Sequence, residues 1–259
     1  MYELDVLIMG SSRPQLFPYC WESFKKYFHF EGKMNVYYHE DFVFPEESKK
    51  VTKYLNEQKI PYYFHNPSIG LGKAMDFMFK NHCKSKYLFY LQDDWEFERH
   101  IDVNYMIYAM EENPGVNMIG LNKIKNNGSI NGAAQPQYTY SGLDMILYHG
   151  WAFTPGLWNM EFVKKHWRVR ESHPEGYFTN AFGDHQTRMD CEYCRKIIGA
   201  YMLGKTGDWR YIRHIGNDWR MAKWQLKDGK PGGRHDPNTM DLPYRAPWLL
   251  PFEERPHSK

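Results

Sequence analysis

Cysteine is scarce in this sequence. Cys20, Cys83, Cys191 and Cys194 are the four thiols in 259 residues, too few for a disulfide framework, and a reducing cytoplasm is the expected location. No apolar run approaches the ~20 residues that a membrane-spanning helix needs, so no membrane anchor is expected. The opening residues MYELDVLIMG lack the basic start and small-residue cleavage site of a signal peptide and have the character of a strand. An excess of charge is missing too. With 33 basic and 31 acidic residues the formal net charge is +2, too mild to mark a nucleic-acid binder by its overall field. Aromatic residues, in contrast, make up 17% of the chain, enough to supply both a core and flat surfaces for sugars or bases.

The most informative stretch is YLFYLQDDWEF, residues 87–97. Five apolar or aromatic residues are too few for a helix and suit a strand buried on both faces of a parallel sheet. The run stops at Gln92, Asp93 and Asp94. Carboxylates crowded at the carboxyl end of a buried strand repel one another, and in open α/β sheets that edge is where ligands sit. Adjacent oxygen donors there suit a hard divalent cation bridging to phosphates. An acidic turn of ordinary kind is the plainer account.

Earlier runs repeat the pattern. Residues 4–9 (LDVLIM) read as a second buried strand, followed by Gly10, Ser11, Ser12, Arg13 and Pro14. Small residues allow backbone to approach a ligand, and Arg13 offers a charge for phosphate or a plane for a ring. Ser12 would equally serve as an ordinary helix cap. A helix is expected over 16–30, a strand over 34–38 with Glu40 and Asp41 just past its end, a helix over 45–58 and a strand over 60–64. NPSIGLGKAM then opens a helix running to about 82, where Gly70 and Gly72 leave N–H groups that favour an anion and Lys73 adds charge. The first hundred residues therefore alternate strand and helix with polar groups at successive strand ends, the pattern of a doubly wound nucleotide-binding half.

At this point the sequence resembles the metal-dependent GT-A glycosyltransferases, especially the inverting family 2 enzymes. The pieces that carry the resemblance are VLIMGSSRP, NPSIGLGKAM and YLFYLQDDW, in that order, with Gln92 standing where many relatives carry an acid. It covers residues 4–100 well and continues more loosely to about 220. The implied fold is α/β with a mostly parallel central sheet flanked by helices. The implied organisation is a catalytic domain over 1–217, split into a nucleotide-binding half (1–100) and an acceptor half (101–217), with an irregular extension (218–259) packed on it. By the same resemblance Ser11, Ser12, Arg13 and Glu40 or Asp41 hold the base and ribose, Asp93 contacts the ribose and Asp94 binds the metal, Mn2+ or Mg2+. The implied donor is a nucleotide-diphosphate sugar, expected to be a UDP-sugar.

In the second half, helices are expected over 100–113 and from Pro155-Gly156-Leu157-Trp158 through 167, a strand over 116–121 and a hairpin over 138–153. Trp151 and Trp158 are candidates for stacking on the acceptor or sugar, although most tryptophans simply pack. Residues 168–184 read as a loop able to close over substrates. A helix over 185–199 carries Asp190 and Glu192, and an inverting transferase needs a carboxylate to take the acceptor's proton. The resemblance places that base first at Asp190, then Glu192, then Asp184. Cys191 and Cys194 on this helix lack a second ligand pair for zinc and read as two half-buried thiols. Residues 211–216 (YIRHIG) form a short strand, and the resemblance makes His214 the residue that completes the metal shell; neutral imidazole suits manganese better than magnesium.

The acceptor stays open between a glycan, a protein, a small molecule and a hydroxymethylated pyrimidine in DNA. The last rests on aromatic residues interleaved with Arg and Lys over 209–248. Inversion is expected, with retention open because the fold supports both. A nucleotidyltransferase, poorly matched by GSSRP, and a non-catalytic nucleotide-sugar-binding module are the alternatives.

Overall fold

The computed structural model describes residues 2–126, 129–130, 133–169 and 174–216. In chain order its elements begin β1 (Glu3–Gly10), α1 (Phe17–Tyr27), β2 (Phe28–His29), β3 (Lys33–Asp41), α2 (Pro45–Glu57), β4 (Tyr62–His65) and α3 (Leu71–Asn81). Next come β5 (Tyr87–Gln92), β6 (Trp95–Phe97), β7 (Ile101–Asp102), α4 (Val103–Glu112), β8 (Met118–Gly120), β9 (Ser129–Ile130) and β10 (Ala133–Ala134). The remainder is β11 (Gln137–Tyr140), β12 (Leu143–Leu147), β13 (Gly156–Asn159), α5 (Met160–His166), α6 (Pro174–Asn180), α7 (His185–Arg188), α8 (Cys191–Tyr193), β14 (Ala200–Leu203) and β15 (Ile212–His214).

Nine of the strands form one sheet in the order β11-β12-β14-β8-β13-β5-β1-β3-β4. The apolar runs Leu4–Met9 and Tyr87–Leu91 lie side by side and parallel, Val6 opposite Phe89, and are buried along their whole length. Continuous hydrophobic strands belong at such a position because helices cover both faces. β1, β3, β4 and β5 are mutually parallel, so their carboxyl ends share one edge.

The sheet is mixed: β12 and β13 run against the other seven strands, which share one direction. The segment Gly156–Asn159, expected to start a helix, is instead a strand running antiparallel between β5 and β8. Propensity for a Pro-Gly turn yields there to the burial of Leu157 and Trp158 in the sheet's centre. The hairpin is confined to β11 and β12. The stretch 168–184, expected to be a loop, contains α6. The expected helix over 185–199 breaks at Met189 and Asp190, resumes as α8 and ends in a π-helical turn at Cys194–Ile198 before Gly199 in the left-handed region. β3 extends through Asp41, so Glu40 and Asp41 lie within the strand and not beyond it. The two-strand pairs β2–β7, β9–β10 and β6–β15 complete the described topology.

A candidate nucleotide-diphosphate edge

The shared carboxyl edge collects most of the polar groups singled out in the sequence. β1 ends at Gly10, and a Cβ there would stand 1.7 Å from the hydroxyl of Tyr38. Glycine is required because the buried Tyr38 phenol passes beneath the end of β1 to donate to Asp93 Oδ2 at 3.2 Å. Ser11 N–H points at the same oxygen at 3.4 Å. Arg13 Nη2 pairs with Asp93 and Nη1 with Asp94, so one guanidinium bridges the two acids and offsets one of their two charges. Both aspartates are buried, and burying unpaired charge is prohibitive. Burial pushes the Asp93 carboxyl up to about 6, with Arg13 opposing and Asp94 adding to the rise. Burial alone would lower the Arg13 pKa, but the two carboxylates outweigh it and hold the guanidinium firmly protonated.

Glu40 and Asp41 act on loops. Glu40 Oε1 accepts from Ser12 N–H at 2.7 Å and Ser48 Oγ at 2.6 Å, and Ser48 Oγ in turn meets Ser12 Oγ at 2.7 Å. These bonds hold Ser12 at a φ of 55°, an unusual value for a residue with a side chain. Burial raises the Glu40 pKa to about 7, opposed by the Ser48 hydrogen bond. Asp41 accepts from Ser68 Oγ, Ile69 N–H and Gly70 N–H at 2.6, 2.9 and 3.0 Å. The carboxylate thereby pins the loop that enters α3, and Gly70 takes a φ of 80° as its N-cap. Asp41 and Oε1 of Glu40 therefore brace the neighbouring loops, while Glu40 Oε2 has no hydrogen-bond partner among the described residues. The exposed Lys73 stands in the first turn of α3, at the same edge.

His214 arrives from far along the chain. β15 pairs antiparallel with β6, setting His214 opposite Trp95, and its Nε2 lies 3.2 Å from Asp94 Oδ2. Gly216 follows because a Cβ there would stand 2.3 Å from that same oxygen. Two ligands at ~2.1 Å from one cation stand roughly 3 Å apart in adjacent octahedral positions, so this oxygen and nitrogen fit as a pair. Among the described residues no group of three or more His, Cys, Asp and Glu could hold a metal by itself. Asp94 and His214 would thus supply part of a shell, with diphosphate oxygens and water left for the rest.

Four expected site residues are not drawn into this cluster. Trp151 and Trp158 are core residues: Trp158 stacks on Tyr90 at 4.4 Å, Trp151 stacks on Phe162 at 5.4 Å, and both are almost wholly buried. Rings covered in this way cannot stack on an acceptor, so the expectation for both is corrected. Asp190 N-caps α8, its Oδ1 accepting from Glu192 N–H and Tyr193 N–H at 2.8 and 3.0 Å. Glu192 faces outward and pairs with Lys196 at 2.6 Å. The segment they begin descends to Gly199, at the opposite edge of the sheet where β14 starts beside Met118. Cys194 is fully buried and donates to Arg188 O, while Cys191 is half-buried near His149.

Sequence reading missed Tyr38, Ser48 and Glu175. Tyr38 and Ser48 carry no local signal, being inward residues of a strand and a helix. Glu175 Oε1 accepts from Phe153 N–H at 3.1 Å, and burial of its carboxyl raises its pKa. Its charge is felt at Tyr90, whose hydroxyl receives Gln92 Nε2 at the end of β5. Arg220, Lys223 and Lys227, in the basic and aromatic stretch over 209–248, lie with the rest of the extension 218–259 outside the described residues.

No protein-family model and no curated protein sequence matches the chain. Solved structures do. S. aureus TarS 1-349 in complex with UDP aligns over 82% of this chain and 60% of its own, at 13% identity and a TM-score of 0.51. GalNAc-T7 with UDP, GalNAc and Mn2+ aligns over 83% of this chain and 44% of its own, at 12% identity and a TM-score of 0.54. The chain therefore spans less than two thirds of the length of either. At such identities the likeness speaks for the fold, and what it shows is that this chain has the fold of the GT-A glycosyltransferases.

Proposed function

We propose that the chain is a metal-dependent glycosyltransferase that moves a sugar from a UDP-sugar to an acceptor hydroxyl with inversion. The observation that carries this reading is the meeting of Arg13, Asp93, Asp94 and His214 at the carboxyl edge of β1 and β5, on a fold shared with structures that hold UDP. Asp94 and His214 would hold a divalent cation, Mn2+ in preference to Mg2+ given the imidazole. When bound, that cation supplies positive charge to the departing diphosphate.

The protein's own groups do the rest. Ser11 and Ser12, held by Asp93 and Glu40, present the first loop to the nucleotide, and Asp93, oriented by Tyr38 and Arg13, faces its ribose. The N-terminus of α3, with Gly70 and Lys73, offers positive potential along the same edge. Asp190 takes the proton from the acceptor hydroxyl as that oxygen attacks the anomeric carbon. It is preferred to Glu192 because its N-cap bonds use Oδ1 alone, whereas Glu192 forms an ion pair with Lys196. The acceptor is a hydroxyl on a glycan, protein, small molecule or hydroxymethylated DNA base.

Calorimetry of UDP-sugar binding with Mn2+ tests the reading. Asp94→Asn is expected to abolish the Mn2+-dependent part of donor binding. In a thermal-shift panel of nucleotide sugars, the true donor at ~100 times its dissociation constant should add roughly 2.7 kcal/mol to the wild type. A variant that binds Mn2+ and donor as tightly as wild type would remove the metal assignment, and no stabilisation by any nucleotide sugar would remove the donor class.

A further inference from the structure

A cavity lies at the opposite edge of the sheet from Asp93 and Asp94. α3 descends from the nucleotide edge to the edge where β5 begins, and α5 follows the end of β13 at that same edge. Between them opens a cavity of about 470 Å3 walled by the last turns of α3, the turn before β5 and the segment after α5. Its size falls within the range of small-molecule sites.

The chemistry of the wall is one-sided. Lys80, Lys84, Lys164 and Arg168 line it against a single acid, Asp76, which pairs with Lys80 at 2.7 Å. Among the described residues the others meet carbonyls in the hydrogen bonds they make here. Lys84 Nζ reaches Lys80 O, Lys164 Nζ reaches Cys83 O at 3.1 Å, and Arg168 Nη1 reaches Lys165 O and Trp167 O at 3.1 and 2.7 Å. A carbonyl cancels no formal charge, and an ammonium bonded to one carbonyl keeps two further donors. Phe79 and Trp167 form the apolar part, their rings edge-on at 5.1 Å. Trp167 is buried, and its indole N–H has no acceptor among the described residues.

We propose that this cavity binds a small organic phosphate, its phosphate on Lys84, Lys164 and Arg168 and its apolar portion against Phe79 and Trp167. A phosphate offers these cations the acceptor oxygens and the negative charge that carbonyls do not, and charge-assisted bonds of this type are the stronger ones. The site is distinct from the nucleotide edge in position and carries none of its acids.

The test follows the Trp167 indole peak in 1H–15N correlation spectra of the full chain, assigned from Trp167→Phe, as phenyl phosphate is added at constant ionic strength. A saturable shift is expected, with inorganic phosphate binding about tenfold more weakly for want of the ring contact. Lys84→Gln combined with Lys164→Gln keeps both carbonyl contacts available, removes two charges and should weaken binding at this peak by about tenfold or more. The Trp95 indole, beside His214, reports the nucleotide edge separately. An unmoved Trp167 peak, an equal response to chloride, or unchanged affinity in the double variant overturns the site. Equal affinity for inorganic and phenyl phosphate overturns the ligand class.

Discussion

Glu40 shows how a residue at the nucleotide edge can matter through the loop it holds. Its pKa rises from an ordinary 4.5 to about 7 because burial penalises the carboxylate. Below pH 4.5 the group is protonated folded or unfolded. Between 4.5 and 7 the unfolded chain releases the proton while the folded chain keeps it, so this group's contribution to stability is lost as pH rises. A shift of this size corresponds to roughly 3 kcal/mol. Denaturant titrations of wild type and Glu40→Gln across pH 4.5–7 should therefore converge or cross toward neutral pH, the wild type losing more. Parallel curves would mean that Glu40 is ionised throughout. The base assignment belongs to the same scale. Asp190→Asn should cut turnover by two orders of magnitude or more, as loss of a general base does, with donor affinity almost unchanged, and Glu192→Gln should leave turnover nearly intact. Should Glu175→Gln show the collapse in place of Asp190→Asn, the base sits on α6 beside Phe153.

Among the elements, the loop between β4 and α3 depends most on one side chain. Its three hydrogen bonds to Asp41 fix the approach to the α3 N-terminus. Asp41→Ala should cost about 1–3 kcal/mol in lost and unsatisfied hydrogen bonds. It should also speed amide exchange at Ile69 and Gly70 while leaving β3 protected, and weaken donor binding without altering turnover at saturation. Exchange at those two amides that matches wild type would show the loop to be held by its own conformation. The β6–β15 pair is the other deciding element, because two short strands carry His214 across 120 residues of sequence to Asp94.

At the scale of the whole molecule, charge bears on the acceptor. With a formal net charge of +2, no long-range field draws DNA to the chain, so a DNA acceptor has to be held by local phosphate contacts. Each such contact lowers log affinity by roughly 0.9 per log unit of salt. Binding of duplex and single strands at two salt concentrations is expected to show a steep slope if DNA is the acceptor, flattened by Arg220→Glu, Lys223→Glu and Lys227→Glu together with donor hydrolysis intact. A glycan or small-molecule acceptor predicts little salt dependence, and no DNA binding at low salt removes that acceptor. The charge balance also makes the cationic cavity at the far edge a local feature, visible only once α3 and α5 stand on either side of it.

Sequence by itself determined the alternation of strand and helix to residue 100, the buried strands at Leu4–Met9 and Tyr87–Leu91, and the acids at the end of the second. Those features follow from local periodicity and from the cost of unpaired carboxylates, both readable along the chain. Proximity of His214 was legible only through resemblance; the contact itself comes from strand pairing between distant segments. Tertiary structure alone decided that Gly156–Asn159 enters the sheet, since a four-residue apolar run takes its form from the strands on either side. It decided that Trp151 and Trp158 are core, because burial depends on neighbours that composition does not name. It also gave Glu40 and Asp41 a bracing part in the neighbouring loops: the partners of an acid in a strand depend on which backbone N–H groups the fold brings to it.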